Sequence, residues 1–116
     1  MTDFTLRLTQ AERATTYPNR RPKDAATLLI LDRRGKDTHV LMGKRHKAHV
    51  FMPGKFVFPG GRVDPGDSRV PAASDYDETT RMRVMAKMRA PRSVARARAL
   101  AVTAIRETFE EVGILI

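Results

Sequence analysis

Three glutamates stand close together in the stretch Arg106-Glu107-Thr108-Phe109-Glu110-Glu111-Val112-Gly113-Ile114. At about 100° per residue, a helix would gather Glu107, Glu110 and Glu111 into one narrow sector. It would turn Ile105, Thr108, Phe109 and Val112 to the opposite side, with Ala101 and Val102 one turn earlier. Arg106 precedes Glu110 by one helical turn, the spacing for an ion pair along the helix. Like charges so placed repel by roughly a few tenths of a kcal/mol per pair, so something must be gained in return. Carboxylate oxygens in a cluster are what a hard divalent cation such as Mg²⁺ requires. A solvated acidic face on an amphipathic helix is the plainer alternative.

A second segment bears on that choice: Phe58-Pro59-Gly60-Gly61-Arg62-Val63-Asp64-Pro65-Gly66-Asp67. Together the two segments resemble the halves of the Nudix box, the signature of the Nudix hydrolases. That pattern is Gly, five residues, Glu, seven residues, then Arg-Glu-aliphatic-x-Glu-Glu-x-Gly-aliphatic. Gly61 leads through five residues to Asp67, where the family usually has Glu, and Thr108 stands where an aliphatic residue is usual. From Asp67 to Arg106 there are 38 intervening residues (106 − 67 − 1) instead of seven, an insertion of 31. The branch of the family typified by the mammalian peroxisomal coenzyme A diphosphatase also interrupts its box with a long insert. It carries stretches similar to Phe51-Met52-Pro53-Gly54-Lys55-Phe56-Val57-Phe58-Pro59-Gly60-Gly61 and to Ile105–Leu115. Of the wider coenzyme A signature, Arg45, Gly54 and Phe58–Gly61 are in register, whereas His46 and Val50 depart from it. The resemblance covers roughly residues 25–67 and 99–116.

The resemblance implies an α/β fold of the Nudix type, an α/β/α sandwich around a mixed sheet. It implies cleavage of a diphosphate linkage in a nucleoside-diphosphate derivative, with coenzyme A or acyl-CoA as the substrate suggested by the branch. Mg²⁺ or Mn²⁺ would be held by Glu107, Glu110, Glu111 and the Gly61 carbonyl. Glu107 would serve as general base or ligand, and Arg106 would orient Glu110 or a neighbouring carboxylate. Asp67 would help to position the helix carboxylates, although its side chain is short for the task. Arg45, Phe51 and Gly60 are the expected substrate contacts, set against a surface charge at Arg45 and a core anchor at Phe51.

Bulk properties narrow the field. A chain of 116 residues makes one domain at most, and 41% hydrophobic with 30% charged residues fits a globular rather than a disordered chain. No run approaches a membrane span, and the N-terminus lacks a secretory h-region. There is no cysteine, which excludes disulfides, thiolate zinc sites and a cysteine nucleophile; the cytoplasm is the expected compartment. The net charge of +9 favours polyanionic ligands. Much of it lies between Arg81 and Arg98, so a nucleic-acid-binding module is the competing reading. Few aromatics are interleaved there, which weakens stacking on single strands. An inactive Nudix-like scaffold is a third reading. The favoured partner is a small nucleoside-diphosphate substrate, with neither nucleic acid nor membrane; a homodimer stays open.

These residues need elements to carry them. Residues 1–23 form a polar N-terminal segment with an edge strand near Phe4–Leu8, and residues 24–116 form the N-terminal portion of a Nudix domain. Ala25–Asp32 reads as a buried strand, Arg33–Asp37 as a turn, and Thr38–Lys44 as its hairpin partner. His46–Gly54 is a loop, with His46 and His49 in it, and Lys55–Phe58 is a short strand. Gly60-Gly61 reads as a tight turn. The basic insert, at about 68–98, contains a helix from Asp77 to Arg89 capped by Ser74 or Asp75 and striped with Met82, Val84, Met85 and Met88. A second helix is capped by Ser93 and stopped by Gly113. Ile114–Ile116 would open another strand, and because the sandwich implied by the resemblance continues past the box, the domain is expected to be incomplete at its C-terminus.

Overall fold

The computed structural model describes residues 21–44 and 54–116. Among these residues, six short strands and two helices follow one another: β1 (Ala25–Thr27), β2 (Leu31–Asp32), β3 (His39–Val40), β4 (Gly43–Lys44), β5 (Phe56–Val57), β6 (Gly60–Arg62), α1 (Glu78–Ala86) and α2 (Val94–Val112). A single 3₁₀ turn at Asp67–Arg69 lies between β6 and α1. The expected edge strand at Phe4–Leu8, and Arg45, His46, His49 and Phe51, lie outside the described residues.

The strands pair in three two-stranded ladders: β1 with β6, β2 with β3, and β4 with β5. All three ladders are antiparallel, so the parallel component of a mixed sheet is not seen among the described residues. The expected strand Ala25–Asp32 divides in two, and Pro59 explains why. Ala26 faces Gly61 and Thr27 faces Gly60. At the next step Leu28 N–H donates to the Pro59 carbonyl at 2.9 Å, but proline has no N–H to return the bond. The ladder stops, and Leu31–Asp32 pairs instead with His39–Val40 across the turn. Nor is the segment buried on both faces: its residues alternate between exposed and half-buried, with Leu29 58% exposed.

Local chemistry sets the ends of both helices. The Asp77 carboxylate accepts from Thr80 N–H and from the Thr80 hydroxyl, each at 2.8 Å, so Asp77, not Ser74 or Asp75, caps α1. The helix stops at Ala86 rather than Arg89, and none of its residues is buried. Its stripe is only partly packed: Met82 is exposed, Val84 and Met85 are half-buried, and Met88, beyond the helix end, is buried. Ser93 Oγ accepts from Arg96 N–H at 3.0 Å to open α2. Gly113 closes it in the left-handed region (φ 74°), its N–H donating to the Phe109 carbonyl.

The packing of α2 differs from the sequence expectation. Its buried residues are Ala97, Ala99, Thr103, Ala104 and Thr108, all small. They let the helix lie against β1, β6 and the Asp67 turn. Thr108 is fully buried, and its hydroxyl donates to the Ala104 carbonyl. Phe109, however, is 52% exposed and Val112 is also exposed. With Val102 and Ile105 on the same side, Phe109 lines an open groove that runs past Val70, Pro71, Leu115 and Ile116. Ile114–Ile116 forms no strand. A strand needs a neighbour to bond with, and none lies beside these residues among those described.

Candidate functional site

Gly60 and Gly61 are strand residues paired with Thr27 and Ala26, not a turn. Their missing side chains matter for space, not for turning. A Cβ on Gly60 would lie 2.5 Å from the Ala26 carbonyl oxygen and 2.7 Å from Thr27 Oγ1. On Gly61 it would fall on the Glu107 carboxylate, 2.5 Å from Oε1 and 2.8 Å from Oε2. The first glycine lets β6 reach β1; the second lets α2 press a carboxylate against the strand. Glu111 approaches the same strand, its Oε2 accepting from Gly60 N–H at 3.4 Å. Glu107 is thus turned toward β6 and half-buried, whereas Glu110 and Glu111 remain exposed.

Beside these glutamates is a buried ion-pair network centred on Asp67. Its carboxylate is almost fully enclosed, with the residue 2% exposed. Arg106 donates to it twice, Nε to Oδ1 at 2.9 Å and Nη2 to Oδ2 at 3.0 Å. Asp67 Oδ2 also accepts from the Thr103 hydroxyl at 2.6 Å and from Asp64 N–H at 2.9 Å. The hydrogen-bonded Arg106 guanidinium holds the Asp67 carboxyl down to about 2, against burial, which pushes it up; the Thr103 and Asp64 donors act with Arg106. Arg106 is raised further in turn, chiefly by Asp67.

The remaining nitrogen of Arg106 faces the other way. Nη1 donates to Glu107 Oε1 and to Glu110 Oε2, each at 3.1 Å. Nη2 reaches the Arg62 carbonyl at 3.1 Å as well. One guanidinium therefore ties the 3₁₀ turn, β6 and two of the three glutamates together. Asp67 is short, yet the turn at Asp67–Arg69 brings it close enough to make this contact directly. Thr103 entered no sequence expectation. The signal available was a hydroxyl one turn before Arg106, on a stretch otherwise made of alanine and aliphatic residues.

The site residues expected from the sequence therefore gather in part. Glu107, Glu110 and Arg106 are linked by hydrogen bonds, Glu111 and Gly60 by another, and Gly61 abuts Glu107. Arg45 and Phe51 lie outside the described residues. The donor chemistry fits Mg²⁺ or Mn²⁺: the carboxylates of one helix sector offer oxygen alone, beside a strand that has no side chain in the way. Among the described residues, no three acidic or histidine side chains already converge as a cluster for a metal ion. Two of the glutamates are instead shared by Arg106.

Several insert arginines have intrachain partners. Arg96 grips Asp24 through Nε at 2.5 Å and Nη2 at 2.7 Å, and its Nη1 donates to the carbonyls of Arg89 and Pro91. Arg98 donates to the carbonyls of Ser68 and Val70, and Arg92 to that of Met88. Arg81 lies near Asp75 and Glu78. Arg83, Lys87 and Arg89 are exposed. No helix among the described residues is long and apolar enough to cross a membrane.

No family model and no curated protein matches the chain. Among solved structures it is similar to the crystal structure of a Nudix hydrolase from Alicyclobacillus acidocaldarius, with 35% sequence identity and a TM-score of 0.53. The match covers 81% of this chain and 39% of that one. With its antiparallel ladders and two helices, the architecture is the α/β fold of the Nudix type.

Proposed function

We propose that this chain carries the hydrolytic site of a Nudix hydrolase that cleaves a diphosphate linkage in a nucleoside-diphosphate derivative. The observation that carries the reading is the Glu107 carboxylate seated where a Gly61 side chain would otherwise be. Glu107, Glu110 and Glu111, with the Gly61 carbonyl, would hold Mg²⁺ or Mn²⁺. Such a cation neutralises diphosphate charge and lowers the pKa of an attacking water. The chain's own residues do the rest. Glu107 is the group placed to take a proton or to ligate, and Arg106 keeps Glu107 and Glu110 together. Asp67 anchors Arg106 from the buried side. The Arg45 and Phe58–Gly61 register supports coenzyme A or acyl-CoA as the substrate, with Arg45, Phe51 and Gly60 as its contacts. A small-molecule partner and a cysteine-free chain suit the cytoplasm.

The test is product release from coenzyme A and from ADP-ribose, with Mg²⁺ and then with EDTA. Metal-dependent cleavage is expected, with coenzyme A preferred. Because the chain spans 39% of the length of the solved structure it matches, the assay is run on this chain and on the longest natural form that contains it. Glu110→Gln and Glu111→Gln should each abolish turnover. Normal turnover in either variant, or no cleavage by either form, would overturn the assignment.

A further inference from the structure

Thr103 and Thr108 are both fully buried on α2, and their hydroxyls behave differently. Thr108 donates to the Ala104 carbonyl one turn back. Thr103 has the equivalent carbonyl, that of Ala99, at 2.7 Å, but it also has the Asp67 carboxylate at 2.6 Å. A carbonyl inside a helix already accepts from the N–H four residues on, so Ala99 does not need the hydroxyl. The carboxylate does, because a buried charge is tolerated only when its lone pairs are filled. A hydrogen bond to an ionised oxygen is also the stronger of the two.

We propose that Thr103 is a positioning residue for the carboxylate face: its hydroxyl fixes Asp67, and Asp67 in turn fixes Arg106 between Glu107 and Glu110. Thr103 and Arg106 stand one turn apart on the same helix and hold the Asp67 carboxylate from two directions. The carboxylate is thereby registered against the helix itself, and Nη1 is left directed at both glutamates. Loss of the hydroxyl would leave Asp67 held only by Arg106 and the Asp64 N–H, without its direct tie to α2 at Thr103, and the spacing of Glu107 from Glu110 would loosen. The functional part of this role rests on the reading of Glu107 and Glu110 as cation ligands.

The test compares Thr103→Val, which removes the hydroxyl at constant shape, with Thr103→Ser, which keeps it, in the full chain. Two readouts are taken: exchange of the Arg106 Nε–H proton by NMR without metal, and Mn²⁺ uptake followed by the electron paramagnetic resonance of free Mn²⁺. Thr103→Val should speed Arg106 exchange about tenfold, the effect of one hydrogen bond to a charged group, and weaken Mn²⁺ uptake several-fold. Thr103→Ser should restore both. A lower melting temperature in Thr103→Val with unchanged exchange would mean that the hydroxyl only packs, and would overturn the proposal. Should the native chain take up no Mn²⁺, the cation reading fails, and Arg106 exchange still decides the positioning role. If Thr103→Val does not fold, Thr103→Ala carries the same comparison.

Discussion

Arg106 faces Asp67 with two nearly equal hydrogen bonds, 2.9 Å and 3.0 Å, on the buried side of the guanidinium. The Asp67 side chain is only 3% exposed, so this is not a solvated surface pair. Arg106→Ala would leave an enclosed carboxylate with no counter-charge and should destabilise the fold by about 3 kcal/mol. Arg106→Lys should recover less than half of the loss, because an ammonium cannot make the paired contact. Urea unfolding of the three proteins checks both statements, and equal midpoints would contradict them.

The same contact sets a pH dependence. The Asp67 carboxyl titrates at about 2 in the fold and at 3.8 when unperturbed. A depressed folded value means that the stabilisation is complete above the unfolded value and disappears as pH falls through the folded one. Stability should therefore drop by about 2 kcal/mol between roughly pH 5 and pH 2 on account of this group alone. Thermal melts across that range should show the drop, and Asp67→Asn should flatten it. A variant with an unaltered acid limb would place the sensitivity elsewhere.

The adjacent glycines should fail in different ways. In Gly60→Ala the new methyl meets the Ala26 backbone carbonyl, which cannot move without breaking the β1–β6 ladder. A loss of about 1–3 kcal/mol is expected, as for overpacking. In Gly61→Ala the methyl meets the end of Glu107, which can swing aside. Stability should change little while Mn²⁺ uptake or diphosphate cleavage falls more than about tenfold, one displaced interaction of roughly 1.4 kcal/mol. Reversed phenotypes would mean that Gly61 has no part in the site.

Arg96 predicts a structural phenotype for the basic insert. Its guanidinium joins Asp24, ahead of β1, to the backbone carbonyls of Arg89 and Pro91. Hydrogen bonding to Arg96 also lowers the Asp24 carboxyl. Arg96→Ala should lower the urea midpoint of unfolding, whereas Arg83→Ala, at an exposed position, should be nearly silent. If Arg83→Ala is the costlier of the two, the arginines of this segment hold something other than their own chain.

The ends of α2 can be read in the sequence because caps are local: Ser93 and Gly113 each act on backbone groups within one turn. The grouping of Glu107, Glu110 and Glu111 is equally local, since helical periodicity alone produces it. What they face is not local. Gly60 lies 51 positions from Glu111, and Asp67 lies 39 from Arg106. Periodicity also misjudged the orientation of the helix, because apolar residues were expected to point inward. The fold turns the alanines and threonines toward the strands instead, since a glycine strand and a buried carboxylate need close approach more than they need large apolar side chains. The single strand expected over Ala25–Asp32 failed for a comparably distant reason, the missing N–H of Pro59 on the partner strand.

The 38 residues between Asp67 and Arg106 leave the Asp67 turn and the glutamates side by side because the contacts that join them sit near the ends of the intervening segment. Asp67 is bonded to Arg106 and Thr103 at one rim, and Arg98 and Arg96 clasp the segment at the other. Closing a loop of that length rather than seven residues raises the closure entropy term by only about 1.5 kcal/mol, since it grows with the logarithm of length. A rim tied this firmly makes the glutamate face nearly indifferent to how much chain departs and returns between its two halves.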